Sequence, residues 1–184
     1  MGIAAFVDLF KSYCANYKYQ ETPQSAVKPI YFISLDVENL TASLKTIKFP
    51  ALFLMTPESD FGGETIDSIT ESQESTFIIL LPLPKNDISR KEEVQDAAKN
   101  IVDQFIRRIL HDNNLGIIQG FNIGGVKTGP IERTADSLYG WEASFNVVED
   151  FDGEIQTNVW DDLGEQVITE GIGAMTIGST FTIL

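Results

Sequence analysis

The run Ser89-Arg90-Lys91-Glu92-Glu93-Val94-Gln95-Asp96-Ala97-Ala98-Lys99-Asn100-Ile101-Val102-Asp103-Gln104-Phe105-Ile106-Arg107-Arg108-Ile109-Leu110-His111-Asp112 places its apolar residues at helical spacing. Val94, Ala97, Ala98, Ile101, Val102, Phe105, Ile109 and Leu110 share one face, and charged side chains fill the other. Ser89 followed by Glu92 reads as a capping box. Arg107, Arg108 and His111 suit the negative end of the helix dipole, and Asn113-Asn114 with Gly116 finish the helix. A long amphipathic helix of this kind needs an apolar surface to lie on.

Upstream, Ile3, Phe6, Val7, Phe10, Tyr13, Cys14 and Tyr17 repeat the same spacing and predict a second helix over residues 3–17. The surface for both helices comes from strand texture. Residues 30–37 and 51–55 are rich in apolar and β-branched or aromatic side chains, and 76–81 reads as a fully buried strand stopped by Pro82 and Pro84. Tyr139 to Val148 alternates Trp141, Ala143, Phe145 and Val147 on one face of a half-buried strand. Residues 116–123 also have strand texture, followed by turns at Gly124-Gly125 and Gly129-Pro130, with another turn at Asp152-Gly153. Residues 57–76 read either as a long acidic loop or as a twisted hairpin with residues 64–69 in one arm. The predicted fold is α+β: a mostly antiparallel sheet packed by two helices, with long loops. Residues 1–163 are read as one domain and 164–184 as an apolar C-terminal arm.

Composition narrows the chemistry. The 184 residues are 43% apolar and 22% charged, within the globular range. Thirteen Lys and Arg face 27 Asp and Glu, a formal charge of −14 that argues against a nucleic-acid groove or an anionic membrane surface. One Cys allows no internal disulfide, and one His allows no His-His metal motif. The N-terminus lacks the pattern of a signal peptide, and no apolar run is long enough to span a bilayer. A soluble chain made in a reducing compartment is expected.

Each motif that suggests a reaction has a plainer reading. Gly120 to Thr128 looks like a phosphate loop, but Val126 stands where the lysine belongs and Lys127 comes one residue late. Asp150 to Glu154 has the middle of a calcium loop, yet Val148 and Val159 fall where its first and last carboxylates are required. A hydrolase triad would have to use His111, and no G-x-S-x-G elbow exists. Acid pairs such as Asp161-Asp162 or Glu58 with Asp60 read as solvated surface, and Cys14 as a buried small hydrophobe. Neither a catalytic residue nor a cofactor or metal site is expected.

The charge distribution says more. Residues 132–170 carry eleven acids against Arg133 alone, and residues 58–76 carry six against no Lys or Arg. A solvated surface, a dock for basic partners, and a lumen that lets DNA pass without sticking all fit this pattern. Taken alone, the charges favour the first.

The order helix, strand, strand with an acidic segment, strand, helix, and a hairpin ending in Tyr139-Gly140-Trp141-Glu142-Ala143-Ser144-Phe145 resembles tail-terminator and tail-completion proteins of tailed bacteriophages, including the neck-ring proteins of crAss-like phages. The resemblance covers residues 3–150 and rests on element order, size and texture. It implies a non-enzymatic virion protein made in the bacterial host cytoplasm. Its copies would close into a ring at the neck, contact portal, connector or tail proteins, and let DNA pass without binding it specifically. On that reading Phe61, Ile66, Ile69, Ile172, Met175, Ile177, Phe181, Ile183 and Leu184 are candidate inter-subunit contacts. Glu58, Asp60, Glu64 and Asp67 are candidate lumen acids. The competing expectations are an acidic cytoplasmic protein-binding module and an enzyme or ligand-binding protein whose site has no sequence signature.

Overall fold

A computed structural model of the chain describes residues 2–20, 25–35, 47–63, 69–83, 87–133 and 138–150. Helix α1 (Ile3–Asn16) turns Phe6, Phe10, Tyr13 and Cys14 inward. Strands β1 (Tyr31–Leu35), β2 (Ala51–Met55), β3 (Glu58–Gly62) and β4 (Thr70–Pro82) follow. Helix α2 (Lys91–Asn114) then leads to β5 (Lys127–Arg133) and β6 (Leu138–Asp150). The strands form one six-stranded sheet in the order β1-β2-β4-β6-β5, with β3 also paired to β4. Among the described residues only the β1–β2 pairing is parallel; the others are antiparallel. The fold is α+β, with a mostly antiparallel sheet and two helices.

Strand periodicity sends alternate residues of β4 and β6 to opposite faces. Phe77, Ile79 and Leu81 of β4 join Ala143, Phe145 and Val147 of β6 beneath the helices. Phe6 and Phe10 of α1 and Ile101, Val102, Phe105 and Ile109 of α2 close the same core. Phe10 is its hub, with ring centroids 5.6 Å from Phe77 and 6.2 Å from Phe145. Burying a phenylalanine side chain of this kind contributes about 2–3 kcal/mol. A second cluster, Ala51, Phe53, Leu80 and Leu138, lies on the other face of the sheet. Apolar packing on both faces explains why Ala51 to Leu54 is a continuous apolar run.

Several sequence expectations change. Ser89 caps nothing: it sits in a 3-10 turn, Ile88–Arg90, and its hydroxyl donates to Asp87 Oδ1 at 2.6 Å. Helix α2 starts two residues later, at Lys91, without a side-chain cap. Residues 116–123 are not a strand; Gly116 and Gly120 have positive φ, and Phe121 makes one isolated bridge to Val147. Gly129-Pro130 is not a turn but lies inside β5, which among the described residues is an edge strand, where proline's missing N–H costs no ladder bond. The strand expected at 76–81 begins at Thr70, and Thr76 and Ile78 within it are half-buried. The boundary at 163/164, the arm 164–184 and the Asp152-Gly153 turn lie outside the described residues.

Candidate functional site

Strands β4 and β6 pair continuously from Pro82↔Leu138 to Thr70↔Asp150. The half nearer Pro82 carries β2, β5 and the helix-covered core, whereas the half nearer Thr70 carries β3. The register changes between Leu54↔Phe77 and Glu58↔Glu74, so Met55, Thr56 and Pro57 face only Ser75 and Thr76. This is a β-bulge, a position that accepts proline. The Ser75 hydroxyl donates to the Met55 carbonyl at 3.2 Å within it. Beyond the bulge, every residue of β3 is exposed.

Residues 58–62 and 70–74 therefore pair as a hairpin rather than lying in a loop, and the arm expected at 64–69 lies, apart from Ile69, outside the described residues. The acids of this hairpin stand against acids. Glu58 lies opposite Glu74, and Glu71 lies opposite Glu149. Like charges directly opposite one another destabilise a ladder. No Lys or Arg occurs in 58–62, 70–74 or 146–150, so the strands of this extension supply no counter-charge. Neutral donors meet Glu71: Ser59 Oγ and Gln73 Nε2 donate to its Oε1 at 2.7 and 3.2 Å. Those bonds hold Glu71 below its ordinary pKa.

Of the residues expected to act, Glu58, Asp60 and Phe61 lie on β3, where strand alternation puts Glu58 and Asp60 on one face and Phe61 on the other. Phe61 is 62% exposed and lies in register with Glu71. Ile69 is half-buried immediately before β4. Ile66, Glu64, Asp67, Ile172, Met175, Ile177, Phe181, Ile183 and Leu184 lie outside the described residues. Glu71 and Glu74, from the same acid-rich segment, and Glu149 and Asp150 of β6 also belong to the acidic surface; the sequence alone does not bring the β6 acids beside Glu58 and Asp60.

A second constellation was not anticipated. Asp112, on the last turn of α2, is 1% exposed. Tyr13 Oη donates to its Oδ2 at 2.7 Å, and Arg108 Nε lies 3.0 Å from both carboxylate oxygens. His111 Nδ1 is 3.1 Å from Oδ1. Burial alone would raise the Asp112 pKa. The bonds from Tyr13, His111 and Arg108, with the Arg108 charge, outweigh burial and hold it below the usual carboxylate value. Tyr13 moves upward, first because it is buried and then because it donates to a carboxylate. Beside this knot a groove of about 210 Å³ opens between the helices, lined by Tyr13, Asn16, Tyr17, Gln104, Phe105 and Arg108.

Both Asp112 oxygens are already engaged, and among the described residues no hydroxyl or thiol hydrogen-bonds to His111. The arrangement fastens helices rather than assembling a nucleophile and its base. Cys14 is 2% exposed, and burial pushes its thiol up to about 12, which disfavours the reactive thiolate. The stretch resembling a phosphate loop forms a 3-10 turn at Ile123–Gly125, where Asn122 Oδ1 accepts from Gly124 N at 3.0 Å. Its lysine opens β5 rather than a helix. In the calcium-like stretch, Asp150 ends β6 and the remainder lies outside the described residues.

Among the described residues no group of three or more His, Cys, Asp or Glu side chains could hold a metal, and no helix is long and apolar enough to cross a membrane. No protein-family model matches the chain, and no curated protein matches it.

Proposed function

We propose that this chain is a structural, self-assembling virion subunit of tail-terminator type, forming a ring at a phage neck or tail end. The observation that carries the reading is the acidic sheet extension. It stands outside the main core, exposes Phe61, and opposes glutamate to glutamate across two strand pairs. Such a feature adds little to the stability of the isolated domain and suits a surface used in assembly.

In this account, copies meet through unlike patches, as a closed ring requires. Portal, connector or tail proteins lie above and below the ring, and acids facing the lumen keep DNA moving by repulsion. The subunit has no enzymatic role. It is made in the host cytoplasm and resides in the virion. The test is deletion of residues 170–184, with the product imaged by negative stain beside the full-length chain. We expect rings from the full-length chain, and a folded body that no longer assembles from the truncated one. Normal assembly of the truncated chain would remove the arm from the account.

The same acidic extension also favours a second reading: a cytoplasmic module that docks on basic proteins. That reading requires a monomer or dimer in solution and a stable complex with a cationic partner.

A further inference from the structure

We propose that the groove between α1 and α2 is a binding site for a small aromatic carboxylate, a single ring bearing a carboxyl group. The inference is independent of the assembly reading, since it uses no part of the sheet extension. Its anchor is Arg108, which is fixed from inside the fold. Arg108 Nε lies 3.0 Å from both Asp112 oxygens, and the guanidinium carbon sits 5.3 Å from the Tyr13 ring centroid. The guanidinium is thus held in place before a guest arrives, with its terminal NH2 groups left as donors. An arginine so held can grip a carboxylate through two parallel N–H bonds.

The rest of the lining suits a flat, apolar body. Tyr17 is half-buried, and its ring centroid lies 5.5 Å from that of Phe105, which is 2% exposed. Tyr13 meets Phe105 edge-on at 6.3 Å. A guest ring packed on Tyr17 therefore has further aromatic rings behind it, and offset or edge-to-face contact is the favoured geometry. Exposed Asn16 and Gln104 line the groove beside Arg108. Asn16 Nδ2 donates to the Ser12 carbonyl at 2.8 Å, which leaves its Oδ1 as an acceptor for a polar substituent on the guest.

Size and charge narrow the guest further. The volume of about 210 Å³ is below the roughly 300–1,000 Å³ of sites for drug-sized ligands, so the groove takes one ring rather than a nucleotide. Inorganic phosphate would use Arg108 and leave the aromatic wall in water. None of the lining residues is acidic. Asp112, behind Arg108, has both oxygens engaged by Tyr13, Arg108 and His111. Lys18 and Arg107, both exposed, adjoin Tyr17 and Arg108 in sequence.

The test is titration of the full-length, isotope-labelled chain with benzoate, read from the side-chain N–H signals of Asn16, Gln104 and Arg108. We expect saturable shifts concentrated at these residues. Benzamide, which lacks the charge, and acetate, which lacks the ring, should each bind at least about tenfold more weakly. Arg108→Lys keeps the charge but loses the two-pronged grip, and should weaken benzoate about tenfold. Gln104→Trp fills the groove from an exposed position outside the Asp112 knot, and should abolish the shifts while distant backbone signals stay in place. Shifts that do not saturate by about 20 mM benzoate, that acetate reproduces, or that persist in Gln104→Trp would overturn the site.

Discussion

The Tyr13 hydroxyl donates a 2.7 Å hydrogen bond to Asp112, 99 residues later, and so fastens the first helix to the end of the second. The same Asp112 receives Arg108 and His111 on its side chain, and its backbone carbonyl accepts Ile117 N at 2.9 Å. Arg108 also lies over the Tyr13 ring, with its guanidinium carbon 5.3 Å from the centroid. A buried ion pair adds little net stability over an apolar replacement, but removing one member leaves the other groups without their partner. The knot therefore fixes the walls of the groove between α1 and α2.

Asp112→Ala is expected to destabilise the protein by about 3 kcal/mol, because it orphans the Tyr13 hydroxyl and removes the Arg108 partner. Asp8→Ala breaks only an exposed pair with Lys11 and should change stability by less than about 1 kcal/mol. Urea unfolding of the two variants beside wild type checks the contrast.

Acid should loosen the same knot. The folded-state pKa of Asp112 lies below its ordinary value of 3.8, so its stabilisation is present above that value. It is lost as pH falls through the folded pKa. Tyr13 is shifted the other way: its contribution is present below its ordinary value of 10.0 and is lost as pH rises through the raised one. Urea midpoints against pH should fall at both extremes, and Asp112→Asn should flatten the acid limb.

Gly140→Ala is expected to cost about 2–3 kcal/mol. A Cβ at that position would collide with the Ile79 carbonyl oxygen and crowd the Leu80 side chain in the β4–β6 ladder. Gly62→Ala meets only Thr70 Oγ1 at 3.6 Å and should unfold close to wild type. Thermal melts of the two variants make the comparison.

Glu74→Gln removes one member of the Glu58–Glu74 pair and should raise the melting temperature, more at low salt than at high salt. Added salt should stabilise the wild-type chain by the same screening. An unchanged melting temperature at low salt would show that the two glutamates do not repel in the folded protein.

Most element types are legible in the sequence because a buried face imposes a period. Phe6, Phe10, Tyr13 and Cys14 mark α1, and Ala143, Phe145 and Val147 mark the covered face of β6. Strand β3 has no buried face, so Glu58 to Gly62 carries no alternation and its pairing with β4 stays ambiguous until the ladder is seen. Pro130 reads as a turn residue because the sequence does not reveal that β5 lies at an edge. Ser89 looks like a cap, but Asp87 takes its hydroxyl.

Asp112 shows where local reading fails for the site. An acid in a last helical turn looks solvated, and only α1 packing over it makes it buried. Its spacing after Ile101, Phe105 and Ile109 places it on the apolar face of α2, which is the one local signal of its role. The across-strand opposition of Glu58 to Glu74 depends on a register that the sequence does not display.

The central claim is that the chain assembles with itself. Light-scattering mass of the full-length protein, taken from low to high concentration with negative-stain images of the same samples, tests it most directly. The account requires a mass that is a fixed multiple of the single chain, with closed rings in the images. A single-chain mass across the whole range, with no rings, would contradict it.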